Sequence, residues 1–393
     1  MSKKRNVFII VLSVILVFAM LISIFFTRSS VPVNALDREI NIDNLCHAKS
    51  MCVIEQSSRR VLIEKNMNDR LAMASTTKIM TALVALERTE NLDEAFSTDN
   101  RAVGVEGTSI YLKKGEKLSM RELLYGLMLN SGNDAAMAIA YRVGNGDAEK
   151  FVDFMNQKAS ELNLKNTHFD NPHGLDSKTH FTCSYDLALI TAKAMENENF
   201  REIVKTEVKE ISAPKDMGHR FVRNKQKLLK TMEGCDGVKS GFTDNARRCL
   251  VTSCTRNNMR LICVVLNCND MFLESQKLLE YCFDKYEMHT VIEPYQFIDN
   301  VIVNDGVNER VKLYVQKGFA YPLQKGEKEK IKLDFDYPDS LDAPIEKDDI
   351  IGEIKVYLEK DLIYSGKICT IESVKQKDTL DKMKDIFDQW YLD

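Results

Sequence analysis

The sequence has no excess of positive charge. Its 54 Lys and Arg residues are slightly outnumbered by 58 Asp and Glu, for a net charge of -4, so no basic field marks nucleic acid as a partner. No C-x-x-C pair of the metal-binding type occurs among its ten cysteines, and no other pattern calls for a metal or a cofactor. Internal repeats and low-complexity tracts are absent. Outside one segment near the N-terminus, no apolar run is long enough to cross a bilayer. What remains is an ordinary globular composition, 44% hydrophobic and 28% charged over 393 residues, enough for two or three domains and a large core.

The exceptional segment comes first. Lys3, Lys4 and Arg5 precede an uncharged run from Val7 to Phe26. Val33, Asn34 and Ala35 then form a small-residue pattern that a signal peptidase could cut before Leu36. Residues 1–35 therefore read as a signal peptide or an N-terminal membrane anchor. On either reading the positive flank stays inside and the remaining chain lies outside the cytoplasmic membrane. A chain this size does not need disulfide staples, and several cysteines sit in apolar strand or helix contexts. Buried free thiols are expected, with one or two bridges left open.

Residues 36–286 carry mixed helix and strand signals. Ser50 to Lys65 reads as two strands around a polar turn. Thr76 to Leu86 is so apolar that it predicts a helix buried on most sides. Ser119 and Glu122 form a capping box ahead of the next helix, and Gly144 closes the one from Asp134 to Val143. Three strands are expected over 238–242, 248–254 and 261–267, the last two joined through Asn257 and Asn258. Residues 272–283 read as an amphipathic helix. From 291 to 371 the signals become alternating strands and turns, a small all-β domain. Residues 378–393 predict an amphipathic helix with Leu380, Met383, Ile386, Phe387 and Trp390 on one face. Its five aspartates against Lys382 and Lys384 oppose binding to anionic lipid, so packing on the β domain competes with contact to a membrane surface.

Three short motifs carry the chemistry. In Ser75-Thr-Thr-Lys78, spacing i, i+3 at a helix start places Lys78 one turn from Ser75. The helix terminus and the apolar body both disfavour the ammonium form, which lets the lysine act as base for a serine nucleophile. Ser212 and Lys215 repeat the spacing, but Pro214 lies between them and no apolar helix follows. Ser131-Gly-Asn133 sits between two helices. There Ser131 can relay a proton between Lys78 and a leaving nitrogen, and Asn133 can tether Lys78 and donate to a substrate carbonyl. Lys239-Ser240-Gly241 falls on a strand edge. Lys239 and Ser240 suit a carboxylate, Gly241 lets a substrate backbone approach, and Phe242 N–H can join Ser75 N–H in an oxyanion hole. Lys239 would also push the Lys78 pKa down.

With the stretches 71–82, 129–135, 166–176 and 236–243 in this order, the chain resembles the serine D-alanyl-D-alanine carboxypeptidases, the low-molecular-mass penicillin-binding proteins. The resemblance implies an α/β fold, an antiparallel sheet flanked by helices, followed by a small all-β domain. It implies an acyl-enzyme on Ser75, release of the terminal D-alanine of peptidoglycan pentapeptides, covalent capture of β-lactam antibiotics, and attachment to the outer membrane surface through a C-terminal helix.

Two departures stand out. Ser240 replaces the usual threonine, and Arg247 follows Ala246 where the family has glycine. Arg247 then either forces a local shift or, with Arg248, adds positive charge near the carboxylate site. His173 reads as a turn residue rather than a catalytic one. Two other functions compete: a β-lactamase, for which Ala159 stands where a loop base would be required, and a catalytically impaired wall-binding homologue.

Overall fold

The computed structural model describes residues 45–384. The N-terminal segment 1–35 and residues 385–393 of the expected C-terminal helix lie outside the described residues. Among the described residues, no helix is long and apolar enough to cross a membrane.

The first half is built on a five-stranded antiparallel sheet. Strands β1 (Ser50–Glu55), β2 (Val61–Lys65), β3 (Cys235–Thr243), β4 (Arg247–Arg256) and β5 (Met259–Leu266) lie in the order β2-β1-β5-β4-β3. The β4–β5 hairpin turns at Asn257 and Asn258, whose φ values of 47° and 62° are the left-handed pair a two-residue turn requires. β3 is the free edge beside the helices, and it carries Lys239 to Phe242.

The helices follow from local rules. α1 (Lys78–Glu87) is buried from Lys78 through Leu86, in keeping with its apolar sequence. Each fully buried Ile, Leu or Met there contributes roughly 1.5–3 kcal/mol. α2 (Met120–Met128) starts at a complete capping box between Ser119 and Glu122. α3 (Asn133–Val143) ends at Gly144, and α4 (Ala148–Glu161) is capped by Asp147. α5 (Ser184–Ala194) packs on α1 and β1, and α6 (Glu198–Lys205) on β3. α7 (Met271–Lys285) follows β5 and returns across β4 and β5. One continuous core joins α1 to α6 and the inner face of the sheet.

From Tyr286 to Thr370 the structure is β apart from a 3-10 turn at Lys328–Lys330, and residues 379–384 are helical. A six-stranded sheet runs in the spatial order 331–336, 350–358, 361–370, 310–315, 296–304 and 340–342, antiparallel except for its last pair. It has its own core, including Val311, Leu313, Ile354, Val356 and Ile368. Arg60, just ahead of β2, ties this half to the first. Its guanidinium makes a fork with Glu327 at 2.7 and 2.9 Å and lies over the rings of Tyr286 and Tyr321.

All ten cysteines are buried and free. This agrees with the expectation of thiols acting as small core hydrophobes, and none of the bridges left open is formed.

Candidate active site

The helix bearing Lys78 does not begin as a simple α-helix. Ala74 to Thr77 form a 3-10 turn, and α1 starts at Lys78 itself. Ala74 has φ 49°, a left-handed conformation that costs a residue with a Cβ roughly 1–2 kcal/mol. Two close approaches hold the turn. A Cβ at Gly174 would fall 2.0 Å from Ala74 O, and one at Gly241 would fall 2.8 Å from Ser75 N. Thr77 Oγ1 donates to Ala74 O at 2.8 Å and meets His180 Nε2 at 2.8 Å, while Asp170 N–H donates to His180 Nδ1. With Nδ1 accepting, Nε2 is the protonated nitrogen and donates to Thr77.

Lys78 is fully buried. Its Nζ lies 2.9 Å from Ser75 Oγ, 2.7 Å from Asn133 Oδ1 and 2.6 Å from the carbonyl of His173. Burial, then the charges of Lys239 and Lys225, hold its pKa well below the usual lysine range, against a smaller opposing pull from Asp134. A lysine so placed gives up its proton more readily than a free one and can accept the serine proton. His173 takes part through its backbone. Its ring accepts from Leu175 N–H within the turn, and burial and Lys78 lower its pKa to about 3.

Ser131 sits at φ 65° between α2 and α3 and is buried. Asn133 tethers Lys78 through Oδ1, while its Nδ2 donates to Glu106 O at 2.6 Å. One amide hydrogen is thereby committed to the protein. The next residue, Asp134, is buried and accepts from the backbone N–H groups of Ile110 and Leu112 and from Ser109 Oγ, fixing the loop opposite the serine.

A cavity of about 400 Å³ opens at this point. Ser75, Ser131, Ser240, Gly241 and Phe242 line it, together with Thr108, Lys225, Arg248 and Met271. Lys239 does not line it. This residue is buried beneath the strand, its Nζ donating to Ser240 O at 2.8 Å, and burial followed by Lys225 lowers its pKa to about 7. Alternation along β3 explains the division: Ser240 and Phe242 face one way and Lys239 the other. The cations within the cavity are Lys225 and Arg248.

Arg247 settles one question raised by the sequence. It adopts φ 58°, so this position calls for a left-handed residue, and arginine occupies it under strain where glycine would be relaxed. Strand pairing stays regular here, with Thr243 opposite Arg247 and Phe242 opposite Arg248, and Arg248 lines the cavity wall. Sequence reasoning missed Thr108, Asp134, His180 and Lys225. Asp134 adjoins a recognised motif and could have been weighed as its loop anchor. Lys225, in a polar run of Asn, Lys and Gln, offers no such signal.

A serine hydroxyl beside a lysine whose pKa is lowered by burial and by neighbouring cations, on a sheet edge lined with cations, has the arrangement of a serine acyl-transfer enzyme with a lysine base. The comparisons give the family. Residues 39–270 match the D-alanyl-D-alanine carboxypeptidase family model, and residues 286–376 match that of the penicillin-binding protein 5 C-terminal domain. The chain belongs to the D-alanyl-D-alanine carboxypeptidase family. The D-alanyl-D-alanine carboxypeptidase DacF of Bacillus subtilis is 32% identical over 351 residues, covering 87% of this chain and 90% of that protein. Among solved structures, penicillin-binding protein 5 from Haemophilus influenzae superposes with a TM-score of 0.71 at 28% identity, covering 84% of this chain and 98% of that one. The Streptomyces K15 DD-transpeptidase gives 0.58 at 32% identity, covering 61% and 98%.

Proposed function

We propose that this chain removes the terminal D-alanine from peptidoglycan stem pentapeptides through an acyl-enzyme on Ser75, outside the cytoplasmic membrane. The observation that carries the reading is the 2.9 Å separation of Lys78 Nζ and Ser75 Oγ within a fully buried lysine environment. In the reaction, neutral Lys78 takes the Ser75 proton and Oγ attacks the carbonyl carbon of the penultimate D-alanine. The N–H groups of Ser75 and Phe242 hold the resulting oxyanion. Collapse breaks the C–N bond, and the proton passes from Lys78 through Ser131 to the departing D-alanine nitrogen. Lys78, neutral again, activates a water that hydrolyses the ester and regenerates Ser75. No bound cofactor enters these steps.

The free carboxylate of the substrate meets the Ser240 hydroxyl and the cations Lys225 and Arg248, while Lys239 acts from beneath by keeping Lys78 deprotonated. A β-lactam acylates the same serine, but its amine stays tethered and blocks the path of water. Among the described residues, no carboxylate lines the cavity to serve as a second base, which argues for slow release and against a β-lactamase. Intact Ser75, Lys78 and Ser131 argue against an impaired wall-binding homologue. Residues 36–286 are the catalytic domain on this reading and 291–371 the all-β domain, with residues 1–35 directing export and 378–393 available for contact with the membrane surface.

The test is D-alanine release from a peptide ending in D-Ala-D-Ala and from the same peptide amidated at its C-terminus. The acid should be cleaved with a kcat/KM at least tenfold above the amide. Equal cleavage would remove the carboxylate-reading role, and no cleavage of either would remove the function.

A further inference from the structure

Away from the cavity, four side chains with metal-binding atoms converge at the corner between β5 and α7. Cys268 lies just past β5, Glu274 is in the first turn of α7, and Cys46 and His47 belong to the segment ahead of β1. Glu274 is only 5% exposed, and Cys46 and Cys268 are buried. Glu274 Oε2 accepts from Cys268 Sγ at 2.8 Å, from His47 N–H at 2.9 Å and from Cys46 Sγ at 3.2 Å, and His47 Nδ1 lies 3.0 Å from Oε1. The two sulfurs and a carboxylate oxygen fall within 4.8 Å of one another.

A buried carboxylate needs strong donors, and thiols are weak ones. The backbone N–H and the ring of His47 supply two further contacts to the carboxylate, and a cation in place of the thiol protons would turn the two weak donors into ligands. We propose that Cys46, Cys268 and Glu274, completed by His47, form a zinc site that fastens the segment ahead of β1 to the β5–α7 corner. Two thiolates, a carboxylate and an imidazole form a donor set that zinc accepts in tetrahedral geometry. Bonds of about 2.3 Å to sulfur and about 2.0–2.2 Å to oxygen place neighbouring ligand atoms roughly 3.5 Å apart, so the contact to Cys46 at 3.2 Å needs to open by about 0.3 Å and that to Cys268 at 2.8 Å by about 0.7 Å. Binding releases two protons, one from each thiol, and leaves the site with one net negative charge. The His47 side chain is 77% exposed and would turn its ring from Glu274 Oε1 onto the metal, marking the entry path.

The corner so fastened adjoins the catalytic cavity. Met271, between Cys268 and Glu274, lines that cavity, and Cys268 N–H donates to the carbonyl of Arg248 at 2.9 Å. The site is structural, since none of its four ligands lines the cavity.

The test uses the full chain, purified in detergent under reducing conditions without chelator, then titrated with zinc or cobalt(II). Wild type should carry about one zinc per chain by elemental analysis. Cobalt should give a sulfur-to-metal charge-transfer band in the near ultraviolet. Both signals should disappear in Cys46→Ser and Cys268→Ser and persist in Cys369→Ser, whose thiol lies in the all-β half. His47→Ala should weaken zinc binding about 10- to 100-fold without removing the fold. Labelling of Ser75 by benzylpenicillin in each variant separates loss of metal from loss of structure. Wild type that labels normally yet shows neither zinc nor the cobalt band overturns the proposal. So does protein isolated without reductant whose mass is two hydrogens low, with Cys46 joined to Cys268.

Discussion

Replacing Lys239 with methionine should make the protein more stable and a poorer catalyst. Lys239 is buried, and its pKa falls from 10.5 to about 7. At about 1.4 kcal/mol per pKa unit, holding the charged form in place costs roughly 4–5 kcal/mol below pH 7. Its hydrogen bond to Ser240 O returns about 1 kcal/mol. Methionine fills similar space with no charge to desolvate, so urea denaturation at pH 6 should show a gain of about 3 kcal/mol. The gain depends on pH in a defined direction. Between pH 7 and 10.5 the unfolded wild type keeps a proton that the folded protein has shed, so wild-type stability climbs with pH and the advantage of the variant shrinks across that window. Catalysis moves the other way. Without the Lys239 charge, the Lys78 pKa rises, and the acid limb of the acylation profile should move to higher pH. Acylation at pH 6 should then be slower than in wild type. A variant less stable than wild type at pH 6, or one whose acid limb has not moved, would refute the role assigned to Lys239.

Gly241→Ala should slow acylation by benzylpenicillin at least tenfold in stopped-flow labelling while the protein stays folded, because the new Cβ would fall 2.8 Å from Ser75 N and 3.0 Å from the Ala74 Cβ; wild-type rates would show that strand and turn are not in close register. Arg247→Gly should raise stability by about 1 kcal/mol in chemical denaturation by relieving the left-handed φ of 58°, with acylation little changed; destabilisation would mean that the arginine side chain makes a contact worth more than the strain. Arg60→Ala breaks the fork with Glu327 and leaves that half-buried carboxylate short of donors, so thermal denaturation should show a loss of about 1–3 kcal/mol and Ser75 should label as before; an unchanged melting profile would reduce the pair to a surface contact.

Much of the catalytic half was legible because its signals are local. The capping box at Ser119, the glycine after Val143 and the Asn257-Asn258 turn each encode backbone geometry within a few residues. Their elements formed where the sequence put them. The Ser75 turn was only half legible: the apolar run predicted a buried helix, but not that Ala74 to Thr77 would wind as a 3-10 turn under Gly174 and Gly241. α5 gave no stripe because its buried face includes the polar residues Ser184, Asp186 and Thr191, which break up the apolar pattern that betrays a helix. Lys225, Asp134 and the cluster of Cys46, Cys268 and Glu274 depend on contacts between distant segments. No spacing rule reaches across the 228 residues between Cys46 and Glu274. The division of labour on β3 was encoded in strand alternation, yet the functional reading of Lys239-Ser240-Gly241 put lysine and serine on the same task. Alternation sends Ser240 to the cavity and Lys239 under it.

The central claim is that Ser75, deprotonated by Lys78, carries the acyl group. Peptide mapping by mass spectrometry after brief exposure to benzylpenicillin tests it, run in parallel on wild type, Lys78→Ala and Lys78→Arg. Wild type should carry one adduct, on the peptide holding Ser75. Both variants should label slower by a factor on the order of a thousand or more, since arginine keeps the charge but cannot accept the proton. An adduct on Ser212, or Lys78→Arg labelling at close to the wild-type rate, would contradict the account.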